Sequence, residues 1–166
     1  MNHVEVFRAD FEEEMPPTRA VIASVPNDRA EWKPHPKSFA VAKLAQLVSW
    51  MPGWITNMAT ESKLDISAAP KYGFEKTETL LAGFDQNVRE ARAALLALDE
   101  SRLEDDWSLV AGDKVLFTNK RGSALRQTLR HLVHHRAQLT VYLRLLDVPV
   151  PSTYGPTADD PGNFGT

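Results

Sequence analysis

Apolar residues recur at three- and four-residue steps in four separate stretches of this chain, the period of a helix that buries one face. The first stretch, residues 3 to about 25, places Val4, Phe7, Phe11, Met15, Val21, Ile22 and Val25 on one stripe and turns Glu12, Glu13 and Glu14 outward. Pro16 and Pro17 fall inside it and predict a kink or a split, because each removes a backbone donor. Trp32-Lys33-Pro34-His35-Pro36-Lys37 then reads as an extended connection pinned by the Trp32 indole. A second helix is expected from an N-cap at Ser38 to about Thr60, on Val41, Leu44, Val48, Met51, Ile55 and Met58, with a bend at Pro52-Gly53. Trp50 and Trp54, four apart on it, share a second face suited to a pocket wall or a partner. The third helix, residues 77 to 98, keeps Leu80, Phe84, Val88, Ala91, Leu95 and Leu98 in register without a gap. The fourth, from an N-cap at Ser123 to about Asp147, repeats leucine at 125, 129, 132, 139, 143 and 146, with Arg136 at the edge of the stripe. Val148-Pro149-Val150-Pro151 stops it.

The connections differ in character. Residues 61 to 76 carry turn signals and read as a loop. Residues 99 to 122 hold two short β-prone runs, Trp107 to Val110 and Lys114 to Thr118, around Gly112-Asp113, the pattern of a hairpin. Residues 149 to 166 are rich in proline and glycine without periodicity. Their apolar members Val150 and Tyr154 predict that residues 148 to 156 dock near the site mouth and that residues 163 to 166 fray. The expected architecture is all-α: a four-helix bundle with one long crossover between helices three and four that holds a short β-hairpin. Residues 1–166 form a single domain in this reading, with 149–166 as its C-terminal tail.

Composition narrows the function classes. A net charge of -3 argues against a protein that grips nucleic acid through its phosphates. The absence of cysteine removes disulfides, thiolate ligands and a cysteine nucleophile. No apolar run approaches the length of a membrane span, and the N-terminal stretch turns acidic where a secretion signal would not, so the chain is expected to be cytoplasmic and free of membrane.

Chemistry concentrates on the fourth helix, where three of the five histidines, His131, His134 and His135, lie within five positions. Residues four apart stack on one helix face, so His131 and His135 can aim their imidazoles at one point and give a divalent cation two nitrogens. His134 falls on a neighbouring part of the surface and reads as a bundle or interface residue. Gln138 and Tyr142 follow one and two turns later, placed to line a pocket or hydrogen-bond a ligand. A third donor would have to come from elsewhere, with His35, His3 and Asp159 as substitutes. Arg126, Arg130, Arg136 and Arg144 read as a solvated face bridged to the acidic first helix.

Several segments together resemble the DinB/YfiT-like superfamily over nearly the whole chain: Trp32 to Ser38, Met51-Pro52-Gly53-Trp54, His131 to Leu139, Tyr142-Leu143-Arg144 and Val148 to Pro156. The resemblance implies a four-helix bundle, frequently a homodimer, with a divalent metal such as Zn or Ni held by one histidine on the second helix and two on the fourth. Members include metal-dependent hydrolases and thiol transferases. At the position of the first ligand this chain has Leu47, which has no lone pair to give. The site is therefore expected to bind metal weakly or not at all, with Leu47, Trp50, His134, Gln138 and Tyr142 around His131 and His135. The alternative is a metal-free small-molecule-binding protein or a structural homodimer.

Overall fold

The computed structural model describes residues 2–162. Helix α1 (His3–Ala23) opens on a reciprocal cap: the Asn2 side chain accepts from Glu5 N at 2.8 Å and the Glu5 carboxylate accepts from Asn2 N at 2.9 Å. It runs through Pro16 and Pro17 as one helix rather than splitting. The two prolines leave the Glu12 and Glu13 carbonyls without helical donors, but both residues are exposed, so water can serve them. Phe11, Met15, Thr18 and Ile22 hold the other face in the core.

Helix α2 (Val41–Thr60) starts three residues after Ser38, and its N-cap Ala40 offers no side chain. The first donors are met by the preceding connection instead. Val41 N donates to Trp32 O at 2.8 Å and Ala42 N to Ala30 O at 3.2 Å. Those bonds fix the extended segment against the helix, and Trp32 is held edge-on to Tyr142 at 5.6 Å. Helix α3 (Thr77–Ala97) follows the predicted register, and Phe84 and Leu95 are each 1% exposed. Burying one such side chain contributes roughly 1.5–3 kcal/mol.

Three strands form one small sheet in the order β1 (Lys63–Asp65), β2 (Asp106–Ala111), β3 (Lys114–Lys120). The β2–β3 pair is the expected hairpin, turning at Gly112 with φ of 58°. Strand β1 pairs parallel to β2 and lies where a loop was expected, so the chain is mostly helical with a sheet, not all-α. Three residues carry no periodicity of their own; β2 supplies the ladder that makes them a strand.

Helix α4 (Arg121–Leu145) begins two residues before Ser123, again without a side-chain cap. Arg121 N donates to Asp105 O at 2.8 Å, and the guanidinium, 1% exposed, turns to the end of α2. There Nη1 donates to Met58 O and, at 2.6 Å, to Glu61 O, a cation placed on carbonyls that the helix end leaves unpaired. Helix α2 packs against α3 and α4, and α1 packs against the same two. At its far end α4 stops with Asp147 at φ of 56°, while Val148 N donates back to Leu143 O at 3.0 Å.

The segment after α4 is docked. Val150 is 7% exposed and joins the core. Asp159 accepts from Val150 N at 2.9 Å and pairs with Arg144, and Asp160 accepts from Ser152 N at 2.8 Å. Residues 163 to 166, expected to fray, lie outside the described residues. Among the described residues no helix is long and apolar enough to cross a membrane.

Candidate functional site

A cavity of about 840 Å³ opens between α2, α4, the sheet and the loop after β1. Its walls are aromatic: Trp50 and Trp54 from α2, Trp107 and Phe117 from the hairpin, and Tyr72 from the loop. Trp50 stacks on Tyr72 with ring centroids 4.9 Å apart and planes at 28°. The loop is tied down beside this stack, where Gly73 N donates to the Oε1 of buried Gln46 at 2.9 Å. Helix α4 turns Ala124, Gln127, Thr128 and His131 to the cavity, a stripe of small and polar residues at helical spacing. Its core stripe, Leu125, Leu129, Leu132, Leu139 and Leu143, lies elsewhere on the cylinder. From α3 comes Asn87, brought close because Gly53 has no side chain: a Cβ there would sit 3.2 Å from Asn87 Oδ1.

His131 stands where the cavity opens, its ring centroid 6.4 Å from that of Trp54. Its Nε2 lies 2.7 Å from His135 Nε2, and His135 Nδ1 lies 2.7 Å from Gln138 Oε1. With Gln138 Oε1 as acceptor, His135 carries its proton on Nδ1 and offers a lone pair at Nε2. His131 Nε2–H must then be the donor. The protein packed round His131 disfavours its charged form, and the neighbouring charges of His135 and His134 add to that, so its pKa falls below the ordinary value. The three side chains form a short hydrogen-bonded chain, His131 to His135 to Gln138.

Could this pair hold the metal that the resemblance implies? Both imidazoles point Nε2 at a common place, as two ligands would. Tetrahedral coordination at Zn–N distances of about 2.0–2.1 Å sets the nitrogens roughly 3.3 Å apart. The rings would therefore have to part, and His131 would have to move its proton to Nδ1. A third donor is the larger difficulty. Leu47 is 5% exposed, part of the hydrophobic core. Among the described residues no group of three His, Cys, Asp or Glu side chains is placed to hold a metal ion. The donor set fits two-point binding and does not fit a three-histidine site.

The substitute donors lie elsewhere. His35 is exposed and its Nδ1 accepts from Lys37 N at 3.2 Å. His3 lies at the start of α1 beside a separate small cavity lined by Leu103 and Gly122. Asp159 is held by Arg144 and Val150 N. Of the residues expected around the site, Trp50 lines the cavity, whereas Leu47, His134, Gln138 and Tyr142 fall outside it. For Gln138 and Tyr142 the reason is position along the helix: on α4 the cavity stripe runs through 124, 127, 128 and 131, and both lie beyond its end. His134 is exposed, its ring 5.1 Å from that of His135. The sequence reading missed Tyr72, Asn87, Trp107, Phe117, Gln127 and Thr128. Only Gln127 and Thr128 had a signal, standing four and three residues before His131 on the same helix.

Arg136 makes the bridge to the acidic first helix expected of it, but is buried instead of solvated. It is 2% exposed and its Nη1 lies 2.6 Å from Glu14 Oε2 and 3.0 Å from Thr18 Oγ1. Tyr154 covers the pair: its hydroxyl donates to Glu14 Oε1 at 2.6 Å and its ring centroid is 5.0 Å from the guanidinium carbon. The tail thus docks on the α1–α4 seam, not at the mouth of the aromatic cavity, because this buried ion pair and not the histidines receives Tyr154.

Comparison with known proteins places these features. The family model described as "DinB family" matches residues 1–162. The crystal structure of a DinB-like protein from Bacillus cereus aligns over 90% of this chain and 97% of its own, with a TM-score of 0.71 and 16% identity. A DinB-like protein from Bacillus subtilis aligns over 93% and 97%, with a TM-score of 0.65 and 18% identity. At those identities the likeness is one of fold. No curated protein matches the chain.

Proposed function

The chain belongs to the DinB family, and on that premise we propose a four-helix-bundle protein that binds a small molecule in its aromatic cavity and holds Zn or Ni only weakly. The observation that carries this reading is the juxtaposition at α4. A cavity of about 840 Å³ is walled by aromatic rings, a size and lining suited to a small organic ligand. His131 on its lining is paired with His135, and the position that the family resemblance gives to a third donor is buried Leu47. Each missing ligand lowers metal affinity steeply. A second reading, a metal-dependent hydrolase or thiol transferase, is favoured by the convergence of the two Nε2 atoms and requires a third donor from outside the chain.

We extend the proposal to a homodimer. Trp50 and Trp54, read from the sequence as pocket wall or partner surface, are taken up by the cavity. Exposed apolar surface remains on α4, where Val141 and Leu145 are each 56% exposed one turn apart and continue the stripe of His134 and Gln138.

Protein prepared without a histidine tag tests the main reading. Plasma mass spectrometry should find well under one equivalent of Zn or Ni. A fragment screen read by thermal shift should find ligands whose stabilisation is lost in Trp54→Ala. Stoichiometric metal that disappears in His131→Ala would overturn it in favour of the second reading.

A further inference from the structure

Resting on the reading of the cavity as a binding site, we propose that its ligand is uncharged and largely aromatic, carrying one hydroxyl, carbonyl or amide group. The argument starts from charge. Among the lining residues there is no lysine or arginine, and the single formal charge is Asp65, exposed at the rim. Its Oδ1 already accepts from Ser67 N at 2.9 Å and Gly112 N at 3.1 Å. An anion entering the cavity would leave water for a space that offers no cation, and an unpaired buried charge is strongly disfavoured. A cation fares little better. The aromatic face that could attract it at the loop, Tyr72, already has Lys43 Nζ 4.9 Å from its ring centroid and Trp50 stacked on it.

Part of the polar lining is already engaged. Trp107 Nε1 donates to Asn57 Oδ1 at 3.2 Å, and Thr128 Oγ1 donates to Met58 Sδ at 3.4 Å. Asn87 Nδ2 donates to Ser49 O at 3.0 Å, which leaves its Oδ1 as an acceptor. Gln127 Oε1 accepts from Asn119 Nδ2 at 3.3 Å, which leaves its Nε2 as a donor. Asn87 Oδ1 and Gln127 Nε2, with the Tyr72 hydroxyl, the second ring nitrogen of His131 and the indole N–H groups of Trp50 and Trp54, leave donors and acceptors but no cation for a ligand's polar group. A hydroxyl, carbonyl or amide can pair with such groups, and flat rings fill the space against Trp50, Trp54 and Trp107.

The test is a matched series on the intact protein at pH 7.5: 2-naphthalenemethanol, 2-naphthoate and 2-naphthylmethylammonium, with Kd read by ligand-observed NMR titration. The alcohol should bind at least tenfold more tightly than either ion. Gln127→Ala should weaken the alcohol by several-fold or more, and Ala124→Leu, which fills the cavity instead of opening a wall, should abolish binding of all three. If the carboxylate or the ammonium binds as tightly as the alcohol, the inference of a neutral ligand is overturned while the cavity stands as a binding site. If none of the three binds, the reading of the cavity fails and this inference with it.

Discussion

Replacing Leu47 by histidine should turn a two-donor site into a three-donor one while destabilising the metal-free protein. Leu47 is 5% exposed, so removing its buried side chain costs about 2–3 kcal/mol. Burying an imidazole there without a partner adds about 1–3 kcal/mol. At roughly 2–4 °C per kcal/mol for a chain of this size, the melting temperature of the metal-free variant should fall by on the order of 10 °C. The gain appears on adding metal. Four-donor structural zinc sites bind with about 10–16 kcal/mol, or roughly 2.5–4 kcal/mol for each donor. One added imidazole should therefore tighten Zn binding by about 100- to 1000-fold. Isothermal titration calorimetry would read the affinity, and thermal melts with Zn at about one hundred times Kd should recover about 2.7 kcal/mol of the lost stability. A variant that folds, binds Zn no more tightly than the natural chain and gains nothing on heating with Zn would show that position 47 does not face the histidine pair.

Other outcomes follow from the rest of the molecule. Glu14→Ala leaves the Arg136 guanidinium, 2% exposed, without its counter-ion and should cost about 3 kcal/mol in urea unfolding, whereas Glu14→Leu with Arg136→Met should be nearly neutral. Ending the chain after Asp147 removes buried Val150 and the Tyr154 cover and should lower the melting temperature by several degrees, as a loss of about 2 kcal/mol would. Asp159 is held below the usual carboxylate range by Arg144 and Val150 N, and Asp160 by Ser152 N and Gly162 N. Their contribution is complete above the unfolded-state pKa of about 3.9 and is lost as pH falls through the lower folded values, so the Val150 and Ser152 amide resonances should titrate together with a midpoint below that value. A midpoint at or above it would contradict the docking. On the proposed homodimer, light scattering at tens of micromolar should read a dimer for the natural chain and a monomer for Leu145→Glu.

The helices were legible because their apolar stripes are long, and α3 above all, whose Leu80 to Leu95 register has no interruption. Their starting points were not. Ser38 and Ser123 are good capping residues by type, yet the first donors of α2 and α4 are met by Trp32 O, Ala30 O and Asp105 O, backbone partners that no local pattern announces. Pro16 and Pro17 were read as a kink or a split; the helix does not split, because propensity is local while the core contacts of Phe11 and Met15 and the exposure of Glu12 and Glu13 are not. At the site, spacing alone brought His131 and His135 together, and Trp50 was marked as either pocket wall or partner surface. The cavity itself needs Trp107, Phe117 and Tyr72, which reach it through strand pairing and a loop. Such contacts across the chain are set by tertiary packing and leave no periodic trace. The bridge from Arg136 to the acidic first helix was legible in the charges, but its burial was not, since arginine on a helix edge is usually solvated.

The affinity of the natural, tag-free chain for Zn, measured by competition with a chromophoric chelator at pH 7.5, tests the account of the histidine pair most directly. Two imidazoles supply about half the donor energy of a four-ligand site, roughly 5–8 kcal/mol, which corresponds to a Kd of about 1 µM or weaker. The account predicts that value, with a further loss in His131→Ala. A nanomolar Kd would contradict it and require a third donor.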